Sequence, residues 1–243
     1  MTAQRVAIVT GGSRGIGASI AESLAKDGFD IAISYARNAT AAEATVARIT
    51  ALGRTARAYR AGEGADAARD LIGQVVQDFG RLDTLVCNAG IYPYARVQDM
   101  TAQQVDATLG LNVRAVMLET MAAVKHMTRG GRIILIGSTF GDRAPFPGIS
   151  LYSATKAALG GFVRGAARDL GPEGITINVI QPGPIDTDMN PADGAGADML
   201  RGFLCVPEYG KPADIASMAA FLARPESDNI TGAALTVDGG LAA

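Results

Sequence analysis

The sequence predicts an α/β protein: a doubly wound, mostly parallel seven-stranded sheet with helices on both faces. Three observations carry this expectation. Short β-branched runs alternate with stretches of helical apolar spacing along the whole chain. Runs such as Leu85-Val86 and Ile133-Ile-Leu-Ile136 are apolar without alternation, as in strands covered on both faces. A glycine-rich turn, residues 10–17, joins the first run to the first helix. Strands are expected near 5–10, 30–35, 55–60, 83–87, 132–138, 175–180 and 234–237. Helices are expected near 15–27, 40–52, 66–79, 101–128, 151–170 and 211–223. No linker, repeat or low-complexity stretch interrupts them, so residues 1–243 are expected to form one domain.

Composition narrows the function. Apolar residues make up 48% of the chain, enough for a sizeable core. A formal charge of −2 gives no electrostatic case for nucleic acid or an anionic membrane. No apolar run reaches the roughly 18 residues of a membrane span. The first residues run almost directly into a strand, without a basic segment and apolar signal core. A cytoplasmic location is therefore expected. Cys87 and Cys205 form no metal-type pair and read as reduced packing residues. His126, the single histidine, cannot build a multi-histidine metal site and is expected at the surface or an interface. No metal is expected.

Taken in order, Val6-Ala-Ile-Val9 is a buried strand and Ile20 and Leu24 mark the following helix. Between them lies Thr10-Gly-Gly-Ser-Arg-Gly-Ile-Gly17. Such a strand-to-helix turn aims backbone N–H groups, with the positive end of the helix dipole, at an anion. A side chain at Gly11 or Gly17 would obstruct a ligand or the helix–strand packing. The G-x-x-x-G-x-G spacing is one residue longer than the dinucleotide fingerprint, and a glycine turn that holds no phosphate fits it as well.

The second strand ends at Tyr35, followed by Ala36-Arg37-Asn38. An acid here would bind ribose hydroxyls, and an arginine would accommodate a 2′-phosphate. No Asp or Glu lies between Asp30 and Glu43, whereas Arg37 lies close and Arg14 sits in the glycine turn. Two guanidinium groups attract a phosphate that a carboxylate would repel, so NADP(H) is expected over NAD(H). Two ordinary solvated arginines are the alternative. Residues 61–66 form a glycine-containing turn. The fourth strand runs into Asn88-Ala-Gly90, where small residues leave room for a ligand, though a plain turn is equally compatible. Asn112, inside the long helix, either bridges or caps.

The fifth strand leads to Ser138 and a loop containing Phe140, Pro145, Phe146, Pro147 and Ile149. Tyr152 and Lys156 then open a helix four residues apart, on one face. A neighbouring ammonium favours the phenolate and is expected to lower the tyrosine pKa. As an isolated pair, Y-x-x-x-K also fits plain surface packing.

In combination, residues 10–17, Asn88-Ala-Gly90, Asn112, Ser138, Tyr152-x-x-x-Lys156 and Pro182-Gly183 resemble the classical short-chain dehydrogenases/reductases. The match continues to Thr236-Val-Asp-Gly-Gly240 and so spans nearly the whole chain. The Gly-Ser-Arg-Gly-Ile-Gly turn and Tyr-Ala-Arg after strand two look most like the 3-oxoacyl-[acyl-carrier-protein] reductase branch. The resemblance implies a Rossmann-type fold, NADP(H) as cofactor, a small carbonyl or alcohol substrate, and a homotetramer. That tetramer would be built through helices 101–128 and 151–170 and the last strand. It implies that Tyr152 is the general acid/base, that Ser138 polarises the carbonyl oxygen, and that Lys156 lowers the tyrosine pKa and binds the nicotinamide ribose. Asn112 would hold a water that links Lys156 to solvent. Gly11, Ser13, Arg14, Gly15, Ile16, Gly17, Tyr35, Arg37, Asn38, Asn88, Ala89 and Gly90 would line the cofactor, with Tyr152 and Lys156. Pro182, Gly183, Ile185 and Thr187 would bracket the nicotinamide.

The chain also departs from the family pattern. Gly62 and Glu63 stand where the family carries Asp-Val, and Glu63 is a candidate substitute for that Asp. Cys87 replaces the commoner first Asn, a packing change. Residues 184–210 are expected to form a substrate lid, with Met189, Met199, Leu200, Phe203 and Leu204 joining Tyr92, Tyr94, Phe140 and Phe146 in an apolar pocket. Lys125, Arg129 and Arg132 form either a solvated basic cluster or a surface for an acidic carrier. A second class of function remains: a non-catalytic NADP(H)-binding sensor or scaffold on the same fold.

Overall fold

The computed structural model describes residues 4–62 and 67–243. Seven strands pair in parallel throughout: β1 (Val6–Val9), β2 (Asp30–Tyr35), β3 (Ala56–Arg60), β4 (Thr84–Cys87), β5 (Arg132–Ile136), β6 (Thr176–Pro182) and β7 (Ala234–Val237). Their order in the sheet is β3-β2-β1-β4-β5-β6-β7. The winding direction reverses between β1 and β4, and the carboxyl ends of these two neighbours open the crevice where such sheets bind ligands.

Alternation along the strands builds two cores. Val6 and Ile8 of β1, with Ile133 and Leu135 of β5, face one side, and Ala7, Val9, Ile134 and Ile136 face the other. The first side is covered by α3 (Ala67–Phe79), α5 (Val116–Ala123) and α6 (Ser150–Leu170), through Ile72, Val75, Val116, Leu159 and Val163. The second is covered by α1 (Gly15–Lys26), α2 (Ala39–Ala51) and α8 (Pro212–Leu222), through Ile20, Leu24, Ile49, Ile215 and Leu222. The expected strand and helix positions are recovered, with three differences. The expected helix 101–128 is α4 (Ala102–Leu109), a π-type turn (Gly110–Ala115) and α5, which stops at Ala123 ahead of the Gly130-Gly131 pair. Strand five ends at Ile136, so Ser138 stands beyond the sheet as the cap of a short 3-10 turn. A short helix, α7 (Ala197–Arg201), was not expected.

Long-range polar bonds fix the strand ends. Asp83 accepts from Val6 N at 2.8 Å while Arg81 grips the same carboxylate. Asp30, at the amino end of β2, accepts from Thr55 N at 2.8 Å and pairs with Arg54, a structural role away from the crevice. Arg132 corrects the expected basic cluster: it is buried and paired with Asp228, leaving Lys125 and Arg129 exposed. His126 is exposed, as expected. Cys87 is buried, but Cys205 is exposed because its segment runs along the surface beside Gly240, so the packing role fits only Cys87. Among the described residues, no helix is long and apolar enough to cross a membrane and no metal-type cluster occurs.

Asn178 joins β6 to the chain entering β7: its Nδ2 donates to Ile230 O at 2.7 Å and its Oδ1 accepts from Ala233 N at 3.0 Å. Asn178→Ala leaves both part-buried backbone groups without this partner. Urea denaturation is expected to give a stability lower by about 2 kcal/mol.

Candidate active site

The glycine turn is held from below by one hydroxyl. Thr10 Oγ1 accepts from Asn88 N at 3.1 Å and Ala89 N at 3.2 Å, and Asn88 Nδ2 returns bonds to Thr10 O and Gly11 O at 2.9 and 3.2 Å. The ends of β1 and β4 are thus locked together at the switch point. Gly11 and Gly15 adopt φ of +64° and +55°, the left-handed region that favours glycine. A Cβ on Gly17 would lie 2.4 Å from Gly11 O and 2.5 Å from Asn88 Nδ2. Ala18 N bonds to Arg14 O, and the N–H groups of Gly15, Ile16 and Gly17 precede it at the helix start. Bare backbone, unused donors and the dipole at one point fit the pyrophosphate of a dinucleotide.

Around this turn, Ile16 packs partly into the core and the Ser13 carbonyl accepts from Thr45. Tyr35 is half-buried at the end of β2, and Arg37 is exposed and makes no ion pair among the described residues. Asn38 uses its side chain to cap α2, accepting from Ala41 N at 3.0 Å. Arg14 pairs with Asp188 at 2.9 Å, a partner that the sequence reading missed although Asp188 adjoins Thr187. Glu63, the suggested substitute for the family Asp, lies outside the described residues.

The chemistry-bearing side chains converge next to the turn. Asn112, buried in the π-type turn, accepts from Ile91 N at 2.9 Å and donates to Ile91 O and Thr155 Oγ1. It therefore bridges the loop after β4 to α6. A Cβ on Gly90 would lie 3.2 Å from Asn112 Oδ1 and 3.8 Å from Lys156 Nζ, so glycine keeps that corner open. Lys156 Nζ donates to Ile136 O at 2.9 Å and lies 5.5 Å from the Tyr152 ring centroid. Ser138 Oγ accepts from Phe140 N at 3.2 Å and lies near enough to the Tyr152 phenol to oppose the effect of its burial.

Burial dominates the electrostatics of this cluster. It pushes Tyr152 up to about 12, the Ser138 hydrogen bond opposing it, and it lowers Lys156 to about 8. The expected lowering of the tyrosine pKa by the lysine does not emerge among the protein's own groups: Lys156 spends its ammonium on the Ile136 carbonyl and desolvation outweighs it. Tyr152 stands protonated at neutral pH, and Lys156 is mostly charged there.

Further out, Thr139 Oγ1 donates to Gln181 O and Pro182 O, and Gly183 packs so closely on Asp238 that a Cβ would lie 2.6 Å from its Cα. Ile185 is buried, and Thr187 lies against Gly15, which sets residues 184–210 over the glycine turn. Tyr92 meets Tyr152 edge to face at 4.8 Å, and Phe140 meets Phe146 at 5.4 Å. Leu200 and Phe203 pack with Phe140, Phe146 and Tyr209, and Leu204 approaches Gly239. Met189, Met199 and Tyr94 are exposed, unlike the expected pocket. Sequence reading also passed over Glu119, an acid on the helix face shared by Val116 and Ala123.

A helix N-terminus at the switch point of a parallel sheet, beside a Ser–Tyr–Lys cluster, defines an α/β oxidoreductase of the dinucleotide-binding class. A family model described as "Enoyl-(Acyl carrier protein) reductase" matches residues 11–242. The chain belongs to the short-chain dehydrogenase/reductase family. It is 43% identical to the "Cyclic-di-GMP-binding biofilm dispersal mediator protein" of Escherichia coli K12, covering 98% of each chain. It is 40% identical to the 3-oxoacyl-[acyl-carrier-protein] reductase of Synechocystis, covering 99% of this chain and 98% of that one. A short-chain dehydrogenase from Burkholderia cenocepacia J2315, solved in complex with NADP, superposes with a TM-score of 0.97 at 51% identity, covering 99% of this chain and 98% of that one.

Gly17→Ala forces the turn and Asn88 apart. The expected result is a stability lower by about 1–3 kcal/mol in chemical denaturation, with Asn88→Ala partly relieving the clash in the double variant.

Proposed function

We propose that the protein is an NADP(H)-dependent oxidoreductase that reversibly reduces a ketone, a 3-oxoacyl compound or another carbonyl, to a secondary alcohol. One convergence supports it above all: Ser138, Tyr152 and Lys156 meet beside the glycine turn, with Asn112 bridging the loop to α6. NADP(H), when bound, supplies or accepts the hydride at the carbonyl carbon. Gly11, Ser13, Gly15, Ile16, Gly17, Asn88, Ala89 and Gly90 would hold its phosphates and adenosine. Arg14, Arg37, Tyr35 and Asn38 would frame the 2′-phosphate end. Pro182, Gly183, Ile185 and Thr187 would bracket the nicotinamide.

The protonated Tyr152 phenol gives its proton to the carbonyl oxygen, while Ser138 donates a hydrogen bond to the same oxygen. The Lys156 ammonium favours the phenolate left behind and binds the nicotinamide ribose, and Asn112 supports the route by which the proton is replaced. In alcohol oxidation the same groups run in reverse. The NADP complex of the Burkholderia relative and the name of the Synechocystis relative support this reading.

The name of the E. coli relative favours a second reading, a non-catalytic NADP(H)-binding sensor or scaffold. Retention of a proton donor with its ammonium neighbour weighs against it. We also read residues 1–243 as one domain, located in the cytoplasm with both cysteines reduced. A homotetramer is supported by the apolar stripe of Leu109, Val113, Met117 and Met121 along the outer side of α4 and α5.

Consumption of NADPH with aryl ketones and 3-oxo esters, followed by absorbance, tests the chemistry. Tyr152→Phe is expected to lower kcat by about 100-fold or more while NADPH still binds. NADPH binding without turnover of any carbonyl would favour the sensor. Arg37→Ala is expected to raise KM for NADPH about tenfold and to leave NADH unchanged. Because Lys156 is charged only below about 8, reduction is expected to fall as pH rises beyond that value.

A further inference from the structure

One of the two arginines assigned above to the 2′-phosphate is engaged within the protein itself. Arg14 Nη1 donates to Asp188 Oδ2 at 2.9 Å, and Asp188 belongs to the segment 184–210 that lies over the glycine turn. Among the described residues, this is the one hydrogen bond or ion pair that ties that segment to residues 10–17.

The backbone brings the two residues together. Asp186 N donates to Gly210 O at 2.9 Å and Gly210 N to Pro184 O at 3.0 Å, so the two ends of the segment close on each other. Asn190 N donates to Thr187 O at 3.0 Å, which makes residues 187–190 a tight turn with Asp188 at its tip. Asp186 Oδ1 braces that turn by accepting from Ala192 N at 2.9 Å. Thr187 seats its base on the glycine turn: the Thr187 Cγ2 lies 3.4 Å from where a Cβ on Gly15 would stand. An acid at position 188 is thereby held beside Arg14, the residue that precedes α1.

Both side chains are exposed, so the pair is a weak one. One N–H···O bond joins them, whereas a phosphate can take two parallel bonds from a guanidinium. A 2′-phosphate also carries more charge than a carboxylate, and the two anions repel when they share one guanidinium. The phosphate therefore displaces Asp188, and the lost pair is subtracted from its affinity.

We propose that Asp188 is a specificity-determining residue for the dinucleotide: it occupies Arg14 in the free protein, and a 2′-phosphate binds by taking its place. The proposal rests on the NADP(H) reading given above. NADPH exchanges one partner of Arg14 for another. NADH has no group that makes the exchange and leaves the pair intact. Asp188 therefore narrows the preference for NADPH over NADH. The exchange also frees the tip of 184–210 from the glycine turn, so only the phosphorylated cofactor unties this segment.

The test titrates the full chain with NADPH and with NADH, followed by nicotinamide emission. Asp188→Asn, which keeps the shape but not the charge, is expected to tighten NADPH about threefold and to leave NADH unchanged. Arg14→Gln is expected to weaken NADPH, and adding Asp188→Asn to it is expected to change nothing further. Adenosine 2′,5′-bisphosphate carries the phosphate without the nicotinamide, and calorimetry is expected to show the same gain for Asp188→Asn. Equal tightening of NADPH and NADH would reflect only the loss of a negative charge near a polyanion and would overturn the proposal. So would a gain that survives in Arg14→Gln. Weaker NADPH binding by Asp188→Asn would overturn it too, as the result of a pair that closes over the dinucleotide. Failure of wild type to bind NADPH would instead bring down the NADP(H) reading itself.

Discussion

The Thr10 hydroxyl holds the site together. The ladder between β1 and β4 ends where the Thr10 amide donates to Val86 O at 3.0 Å, and beyond it side chains join the two loops. Here a single oxygen takes two amides from the β4 loop, and Asn88 returns two bonds to the β1 turn. The glycine turn hangs from that lock, which is why Gly11 and Gly17 have no room for side chains. The loop beyond Asn88 is then passed on to Asn112, and through Thr155 to the helix that bears Tyr152 and Lys156. Anion cradle and proton donor are therefore parts of one bonded chain running across the sheet.

The proton donor is tuned by exclusion of water more than by charge. Tyr152 and Lys156 are both driven toward neutrality by burial, the phenol upward and the ammonium downward. Ser138 acts against that tendency at the phenol, and the Ile136 carbonyl fixes the ammonium. Fixed hydrogen bonds hold Lys156 and Asn112 in place before any ligand contributes.

What was legible in the sequence follows the range of the physics. Strand and helix periodicity are local, so the order of elements could be read from the residues themselves. Tyr152 and Lys156 were legible because a four-residue spacing on a helix is a direct statement about proximity. Other features depend on partners far along the chain. Arg132 reads as one of three exposed bases, yet Asp228, 96 residues on, draws it inward. Asn38 reads as a ligand contact, while the Ala41 amide, three residues later in the first turn of α2, claims its side chain. The Arg14–Asp188 pair joins elements whose adjacency only the folded sheet creates. The break in helix 101–128 escaped notice because a π-type turn leaves composition and apolar spacing almost unchanged.

That turn also limits how the gene can vary in length. Each residue of a regular helix advances the direction of its side chains by about 100°. The wide turn at 110–115 lets Asn112 point at Ile91 and Thr155 while α5 presents Val116 and Thr120 to the sheet. Loss of one residue within it would restore an even pitch at the cost of the place that Asn112 holds between Ile91 and Thr155. A change of length is thus unfavourable in this stretch, although no loop lies in it.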